Sequence, residues 1–133
     1  IILRVDGAGL SYVNGDYEFN GMLQGHPKFV LTAPPFKCGK STCAKLHHRT
    51  LTIWRCELTN GKDAWFISVI SNQPGSQYDD DYYATVDIPR DCVVLLPPRA
   101  GWRRKQQGSS PAPTVTAVVR DRDASRDDEG IPL

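Results

Sequence analysis

Short runs rich in β-branched and aromatic residues recur along the chain, and glycine, proline and asparagine separate them at short intervals. Runs of this length between turn-forming residues are typical of β-strands. No stretch shows a sustained helical period, and the best helix candidate, residues 41–49, is short and strongly basic. The pattern therefore predicts an all-β fold.

The clearest predicted element is a β-hairpin formed by residues 50–58 and 64–70, with Asn60-Gly61 between the two runs. Asn-Gly between apolar, β-branched runs indicates a hairpin, because both residues tolerate the positive φ that the turn needs. Alternation places every second side chain of a strand on the same face. We expect this hairpin to form the core of the sheet, with these residues on one face of their strands: Trp54, Cys56 and Leu58 in the first, and Trp65, Ile67 and Val69 in the second.

Similar patterns predict further turns and strands on both sides of this hairpin. The sequence predicts turns at Asn14-Gly15, Asn20-Gly21 and Gly25, and a strand over His26–Leu31 that stops before Pro34-Pro35. Later strands are predicted over 82–86, 92–96 and 114–119. In total we expect about seven to eight short strands in a single small antiparallel barrel or sandwich.

Length and charge indicate one domain followed by a tail. The chain has 133 residues, enough for one ordinary domain. Residues 1–119 carry 13 Lys and Arg against 10 Asp and Glu, whereas residues 120–133 carry 3 against 5. We expect an all-β domain over 1–119 and a charged C-terminal tail over 120–133.

No apolar run approaches the roughly 20 residues that cross a bilayer, so we expect no membrane partner. The chain begins with Ile1 rather than Met, so we expect further natural residues before it. The first residues do not resemble a signal peptide, and we expect a cytoplasmic location.

An ordered set of aromatic and turn motifs extends over about residues 1–119. It comprises residues 13–17 (VNGDY), 25–29 (GHPKF), Ile53-Trp54, Trp65 and 97–102 (PPRAGW). This order resembles a small β module of uncharacterised proteins of protists and algae, with the pattern VNGxY, GxPxY, IxW and PPxxGW. Phe29 stands where that pattern usually has Tyr, and residues 36–49 form a longer connection. The resemblance implies a compact β fold and no particular activity.

Four residues of types that bind zinc lie close together in the sequence: Cys38, Cys43, His47 and His48. Thiolate and imidazole suit a tetrahedral zinc site. Adjacent histidines do not easily present both rings to one ion, so a remote ligand such as Cys56 would be needed. The alternative is a basic loop whose cysteines are free or bridged, and we expect reduced thiols and no required cofactor.

A basic cluster surrounds the last tryptophan of the chain and comprises Arg99, Trp102, Arg103, Arg104 and Lys105. Cations beside an exposed aromatic ring are typical of sites that bind single-stranded nucleic acid or a partner. The alternative is a tryptophan that closes the end of a barrel while its charged neighbours face water. The net charge of +1 does not favour a dedicated nucleic-acid binder.

The acidic run Asp79-Asp80-Asp81 offers oxygen ligands of the kind that calcium prefers. Consecutive carboxylates point in different directions, so a solvated acidic loop is the competing interpretation.

No acid, base and nucleophile converge in the sequence, and whether the protein is an enzyme stays open. The first hypothesis is a non-enzymatic module that binds another protein, with an exposed strand edge as one route. The alternatives are a β-barrel domain that binds a metal or small ligand, and a weak nucleic-acid binder that uses the Trp102 cluster.

Overall fold

The computed structural model describes residues 1–32 and 50–119. A 3₁₀-helix, Ser11–Val13, lies between the first two strands. The strands are β1 (Ile2–Asp6), β2 (Gly15–Leu23), β3 (His26–Leu31), β4 (Leu51–Glu57), β5 (Lys62–Val69), β6 (Asp80–Thr85), β7 (Ile88–Pro89), β8 (Trp102–Arg104) and β9 (Thr114–Val118).

The strands form one antiparallel sheet that nearly closes into a barrel. Its order is β8-β6-β5-β4-β3-β2-β1-β9, and β7 pairs with β5 beside this path. The two ends of the sheet approach each other, because the Val115 amide donates a 2.9 Å hydrogen bond to the Arg99 carbonyl. The predicted all-β barrel is therefore confirmed. In the described ranges, no helix has the length and apolar character needed to cross a membrane.

The central hairpin is confirmed. Strands β4 and β5 pair over seven positions, from Leu51 opposite Val69 to Glu57 opposite Asp63. Gly61 adopts a φ of +82°, the left-handed conformation that the turn requires.

The interior of the barrel is filled by side chains from all the long strands. Residues opposite one another in neighbouring strands share a face, as Ile53, Ile67 and Tyr83 do across β4, β5 and β6. Their cluster also contains the buried indoles of Trp65 and Trp102. The main core therefore lies inside the barrel.

A second apolar cluster lies on the opposite, outer face of the same strands. It consists of Trp54, Cys56, Ala64, Phe66 and Ala84. Alternation within each strand is as predicted, and Trp54 and Cys56 are buried, but they lie in this outer cluster and not in the barrel interior. Both faces of β4 and β5 are apolar, and the register places Ile53 inside and Trp54 outside.

The predicted turns are only partly present. The left-handed residues Gln24 and Gly25 form the turn between β2 and β3, as expected. Asn20-Gly21 does not form a turn, because the register of β2 against β3 shifts between Phe19 and Met22, which is a β-bulge. Asn14 closes a longer β1–β2 connection through its side chain, which exchanges two hydrogen bonds with the Ala8 backbone.

The strand predicted over 92–96 is wrong. These residues are an irregular loop, although their apolar, β-branched composition is typical of a strand. Pro97 and Pro98 directly follow this run and lack backbone N–H donors, which limits backbone pairing at that end.

The chain after β8 passes so close to β6 that Gly108 has no room for a side chain. A Cβ at this position would meet the Tyr82 carbonyl oxygen and lie 3.1 Å from the carbonyl carbon. We expect Gly108→Ala to lower the free energy of unfolding by about 1–3 kcal/mol, because the backbone must move to relieve the overlap. Urea unfolding followed by circular dichroism measures this.

Ser109→Ala provides the control, since the Ser109 side chain is exposed and the Ser109 backbone, not its hydroxyl, bonds to Tyr83. It should change stability by less than about 0.5 kcal/mol. Equal losses of stability in Gly108→Ala and Ser109→Ala would contradict the close approach of Gly108 to the Tyr82 carbonyl.

Candidate functional site

The predicted zinc ligands Cys38, Cys43, His47 and His48 lie outside the described residues, as does the predicted tail over 120–133. Within residues 1–32 and 50–119, no group of three or more His, Cys, Asp or Glu side chains is placed to hold a metal ion. The zinc site stays a prediction.

The structure places Trp102 in the barrel core. Its side chain is 6% exposed, and its indole Nε1 donates a 2.9 Å hydrogen bond to the Pro98 carbonyl. The ring is therefore not positioned to stack on a base, and Trp102 plays the core role that the sequence left as the alternative. Its basic neighbours Arg99, Arg103, Arg104 and Lys105 are exposed, and their contact with a nucleic acid or another partner stays a prediction.

The acidic run serves structural roles within the described residues. Asp79 organises the β5–β6 loop, because its carboxylate accepts hydrogen bonds from the Ser71 amide at 2.7 Å, the Ser71 hydroxyl at 2.8 Å and the Gly75 amide at 2.6 Å. Asp81 accepts a 2.7 Å bond from the Ser68 hydroxyl. Two carboxylates of this run are thus already used by protein donors.

A buried ionic network joins the central hairpin to the chain after β7. The Arg55 and Asp63 side chains are fully buried, and Arg55 Nε lies 2.8 Å from Asp63 Oδ2. Arg90 Nε lies 2.9 Å from the other carboxylate oxygen, Oδ1. One carboxylate therefore accepts hydrogen bonds from two guanidinium groups. His26 Nε2 lies 3.9 Å from Asp63 Oδ2.

The two arginines determine the charge state of Asp63. Burial alone would raise the pKa of its carboxyl, but the hydrogen bonds and positive charges of Arg90 and Arg55 hold that pKa below its ordinary value. Asp63 is thus an anion in the folded protein at neutral pH.

Arg55 also binds the backbone at the end of β7 and in the loop that follows β7. Its Nη1 donates to the Val94 carbonyl at 3.4 Å, and its Nη2 donates at 3.3 Å to the Pro89 and Arg90 carbonyls. Arg90 binds the hairpin turn in return, because its Nη2 donates to the Leu58 carbonyl at 2.8 Å. The loop is therefore tied to the barrel by charged, hydrogen-bonded side chains.

The outer side of this tethered loop is apolar and exposed. Val93 is 87% exposed, Val94 57% and Leu95 66%. We call these three residues the apolar loop. They form the longest continuous run of large exposed hydrophobic side chains in residues 1–32 and 50–119.

The buried network around Asp63 is absent from the sequence-based predictions. Those predictions assign no role to Arg55, which lies between Trp54 and Cys56. A signal was present, since Ile53, on the same face of β4 as Arg55, is as apolar as Trp54 on the other face. A strand that is apolar on both faces is covered on both sides, and a charge within it needs a partner.

A cavity of about 330 Å³ lies against the outer cluster. It is bounded by Trp54, Cys56 and Phe66 from the sheet, and by Gly75, Asp79 and Asp81 from the β5–β6 loop and β6. Burial raises the pKa of the Cys56 thiol to about 11, and nearby carboxylates contribute to the shift. Cys56 is therefore a neutral thiol at physiological pH, not an activated nucleophile.

Comparisons with protein-family models, with curated proteins and with solved structures found no match to this chain.

Proposed function

We propose that the protein is a protein-interaction module that presents the apolar loop, Val93 to Leu95, to an apolar pocket of another protein. The observation that carries the proposal is the combination of exposed apolar side chains with a backbone that buried Arg55 holds at the Val94 carbonyl and, just before the loop, at the Pro89 and Arg90 carbonyls. Contiguous exposed apolar side chains are typical of interaction sites.

The tethering supports binding because it reduces the entropy lost on association. A free loop loses conformational freedom when a partner binds it, whereas a loop already held in place loses less. Arg55 bonds to the backbone at Val94 and Arg90, and Arg90 bonds to the hairpin turn at Leu58, so neither arginine uses the side chains of the apolar loop. Those side chains remain available for a partner.

The fold favours this loop over the strand edge suggested by the sequence. The sheet nearly closes, and its end strands approach each other where Val115 bonds to Arg99. A nearly closed sheet leaves little edge for an added strand. The loop is therefore the better candidate surface.

Quantitative affinity capture from a native lysate of the source organism tests the proposal. The bait variant carries Val93→Ser, Val94→Ser and Leu95→Ser, which leave the Val94 carbonyl available to Arg55. The matched control carries Ile1→Ser, Met22→Ser and Val119→Ser, three other exposed apolar positions. Each capture is repeated after nuclease treatment.

We expect a stoichiometric, nuclease-resistant partner that the control variant retains and the apolar-loop variant loses by at least tenfold. Circular dichroism should show equal folding of both variants, because every substituted side chain is exposed. Equal retention by the two variants would contradict the proposal, as would partners lost entirely with nuclease. The second result would favour the cluster around Arg103 and Arg104.

A further inference from the structure

Asn-Gly pairs occur at three places in the chain, at residues 14–15, 20–21 and 60–61. In such a pair the glycine nitrogen attacks the side-chain amide of the asparagine, because glycine has no side chain that hinders the approach. Ammonia leaves, and water opens the resulting cyclic imide to aspartate or isoaspartate. The fold controls this reaction, since the side chain and the backbone must both be free to turn.

The fold restrains Asn60 at both reacting groups. Its Nδ2 donates a hydrogen bond to the Asp87 carboxylate at 2.8 Å, and its Oδ1 accepts one from the Lys62 amide at 2.9 Å. The attacking nitrogen, that of Gly61, donates to the Leu58 carbonyl at 3.3 Å. Reaction at Asn60 therefore requires the side chain to leave two partners and the backbone to leave a third.

The side chain of Asn14 is held in a similar way. Its Oδ1 accepts a hydrogen bond from the Ala8 amide at 2.9 Å, and its Nδ2 donates to the Ala8 carbonyl at 3.3 Å. These two bonds close the β1–β2 connection. Rotation of the Asn14 side chain toward the Gly15 nitrogen therefore breaks a structural contact.

Asn20 is the least restrained of the three asparagines. It lies with Gly21 in the β-bulge between the paired positions Phe19 and Met22, and neither residue has a paired position in β3. A bulge interrupts the ladder, so the backbone there turns without breaking a pair. The Asn20 side chain is exposed, and among the described residues its one hydrogen bond is that from Lys28 Nζ to Oδ1, at 3.1 Å.

Lys28 also stabilises the charge that develops in the reaction. When the Gly21 nitrogen attacks Asn20 Cγ, the oxygen that gains negative charge is Oδ1, the atom that Lys28 contacts. A cation placed at that oxygen lowers the barrier. The corresponding oxygens of Asn14 and Asn60 accept from neutral backbone amides, which are weaker donors than an ammonium group.

We propose that Asn20 is a site of spontaneous deamidation, assisted by Lys28. The Gly21 nitrogen bonds to Asn20 Cγ and loses its proton, the Cγ–Nδ2 bond breaks, and Nδ2 departs as ammonia. Water then opens the succinimide at either carbonyl and gives aspartate or isoaspartate, with no oxidation or reduction. The product places a carboxylate beside Lys28 and lowers the formal net charge by one, from +1 to zero. The site is independent of the proposed function, because neither residue belongs to the apolar loop.

Incubation of the full chain in mildly alkaline buffer at physiological temperature tests the proposal. Digestion at mildly acidic pH, which suppresses further reaction, and mass spectrometry with fragmentation then give the rate at each Asn-Gly pair in one sample. We expect Asn20 to react about tenfold faster than Asn14 and Asn60, because the other two must first break hydrogen bonds. Incubation in urea is the control, since unfolding should bring the three rates within about threefold of one another.

Variants test the role of Lys28 separately. Lys28→Met should slow the reaction at Asn20 by about two- to fivefold, the effect expected of an exposed charged contact. Lys28→Arg should retain most of the wild-type rate, because it keeps a cationic donor. Lys105→Met is the matched control, since it removes the same charge from another exposed position that does not contact Asn20.

Each part of the proposal has a result that would overturn it. Equal rates at Asn20 and at Asn60 or Asn14 in the folded protein would show that the fold does not select Asn20. Loss of Asn20 reactivity on folding, with reaction seen only in urea, would show that the bulge protects the residue. An unchanged rate in Lys28→Met, or equal slowing by Lys28→Met and Lys105→Met, would contradict the assistance by Lys28.

Discussion

Asp63→Ala is expected to lower the free energy of unfolding by about 3–5 kcal/mol, because it leaves the fully buried guanidinium of Arg55 without its carboxylate. The same substitution removes the partner of Arg90 Nε. Urea unfolding monitored by circular dichroism measures the loss. Arg90→Met should cost less, since the Arg90 side chain is 42% exposed and Arg55 keeps its bond to Asp63.

The matched control for this prediction is the surface pair Arg4–Asp16. Its nitrogen–oxygen distance, 2.8 Å, equals that of Arg55–Asp63, but its side chains are 53% and 40% exposed. Asp16→Ala should therefore cost less than about 1 kcal/mol. A similar cost at Asp16 and Asp63 would show that burial does not determine the strength of the network.

The same network predicts how stability depends on acid. Because the pKa of Asp63 is lower in the folded protein than in the unfolded chain, its contribution is present above the unfolded value of about 3.9. This contribution is lost as the pH falls through the lower folded pKa. We expect the wild-type protein to lose stability more steeply below pH 4 than the Asp63→Ala variant, measured by urea unfolding at each pH. An equal loss of stability below pH 4 in the wild-type protein and the Asp63→Ala variant would contradict a lowered pKa for Asp63.

Trp102→Ala is expected to destabilise the fold by about 3–5 kcal/mol, because it removes a large buried side chain from the barrel core. The substitution also removes the hydrogen bond that the indole Nε1 donates to the Pro98 carbonyl. The exposed neighbours should behave differently, and the double substitution Arg103→Ala and Arg104→Ala should change stability by less than about 0.5 kcal/mol.

Trp102→Ala and the double arginine variant together separate the core role of Trp102 from a surface role of its basic neighbours. Circular dichroism during urea unfolding gives stability, and binding to single-stranded nucleic acid at several salt concentrations gives the phosphate contribution. A stable Trp102→Ala protein that loses only nucleic-acid binding would contradict the core assignment.

Local patterns predicted the strands well where the chemistry of the turn is specific. The Asn60-Gly61 hairpin follows from two residues that tolerate positive φ between β-branched runs, and Gly61 adopts that conformation. The same dipeptide at Asn20-Gly21 forms a bulge within β2 instead. The difference arises because the pairing of β2 with β3 continues past it, and distant pairing is not visible in a local pattern.

The candidate surface was harder to predict because it depends on contacts between distant residues. Composition favours a strand at Val93–Leu95, yet the backbone there is held by Arg55, which lies 39 positions away from Val94 in the chain. Whether Trp54 or Ile53 faces the interior likewise depends on how the sheet curves. Alternation shows which residues share a face, but not which face lies inside.

Site-specific photocrosslinking tests the central claim most directly. A benzoyl-phenylalanine placed at Val93, which is 87% exposed, is irradiated in native lysate, and the same residue at Met22, which is 59% exposed, is the control. We predict one discrete crosslinked protein from position 93 that is absent from position 22. Excess unlabelled wild-type protein should compete for it, and the variant with serine at 93, 94 and 95 should not. Equal crosslinking from both positions, or none from position 93, would contradict the proposed interaction surface.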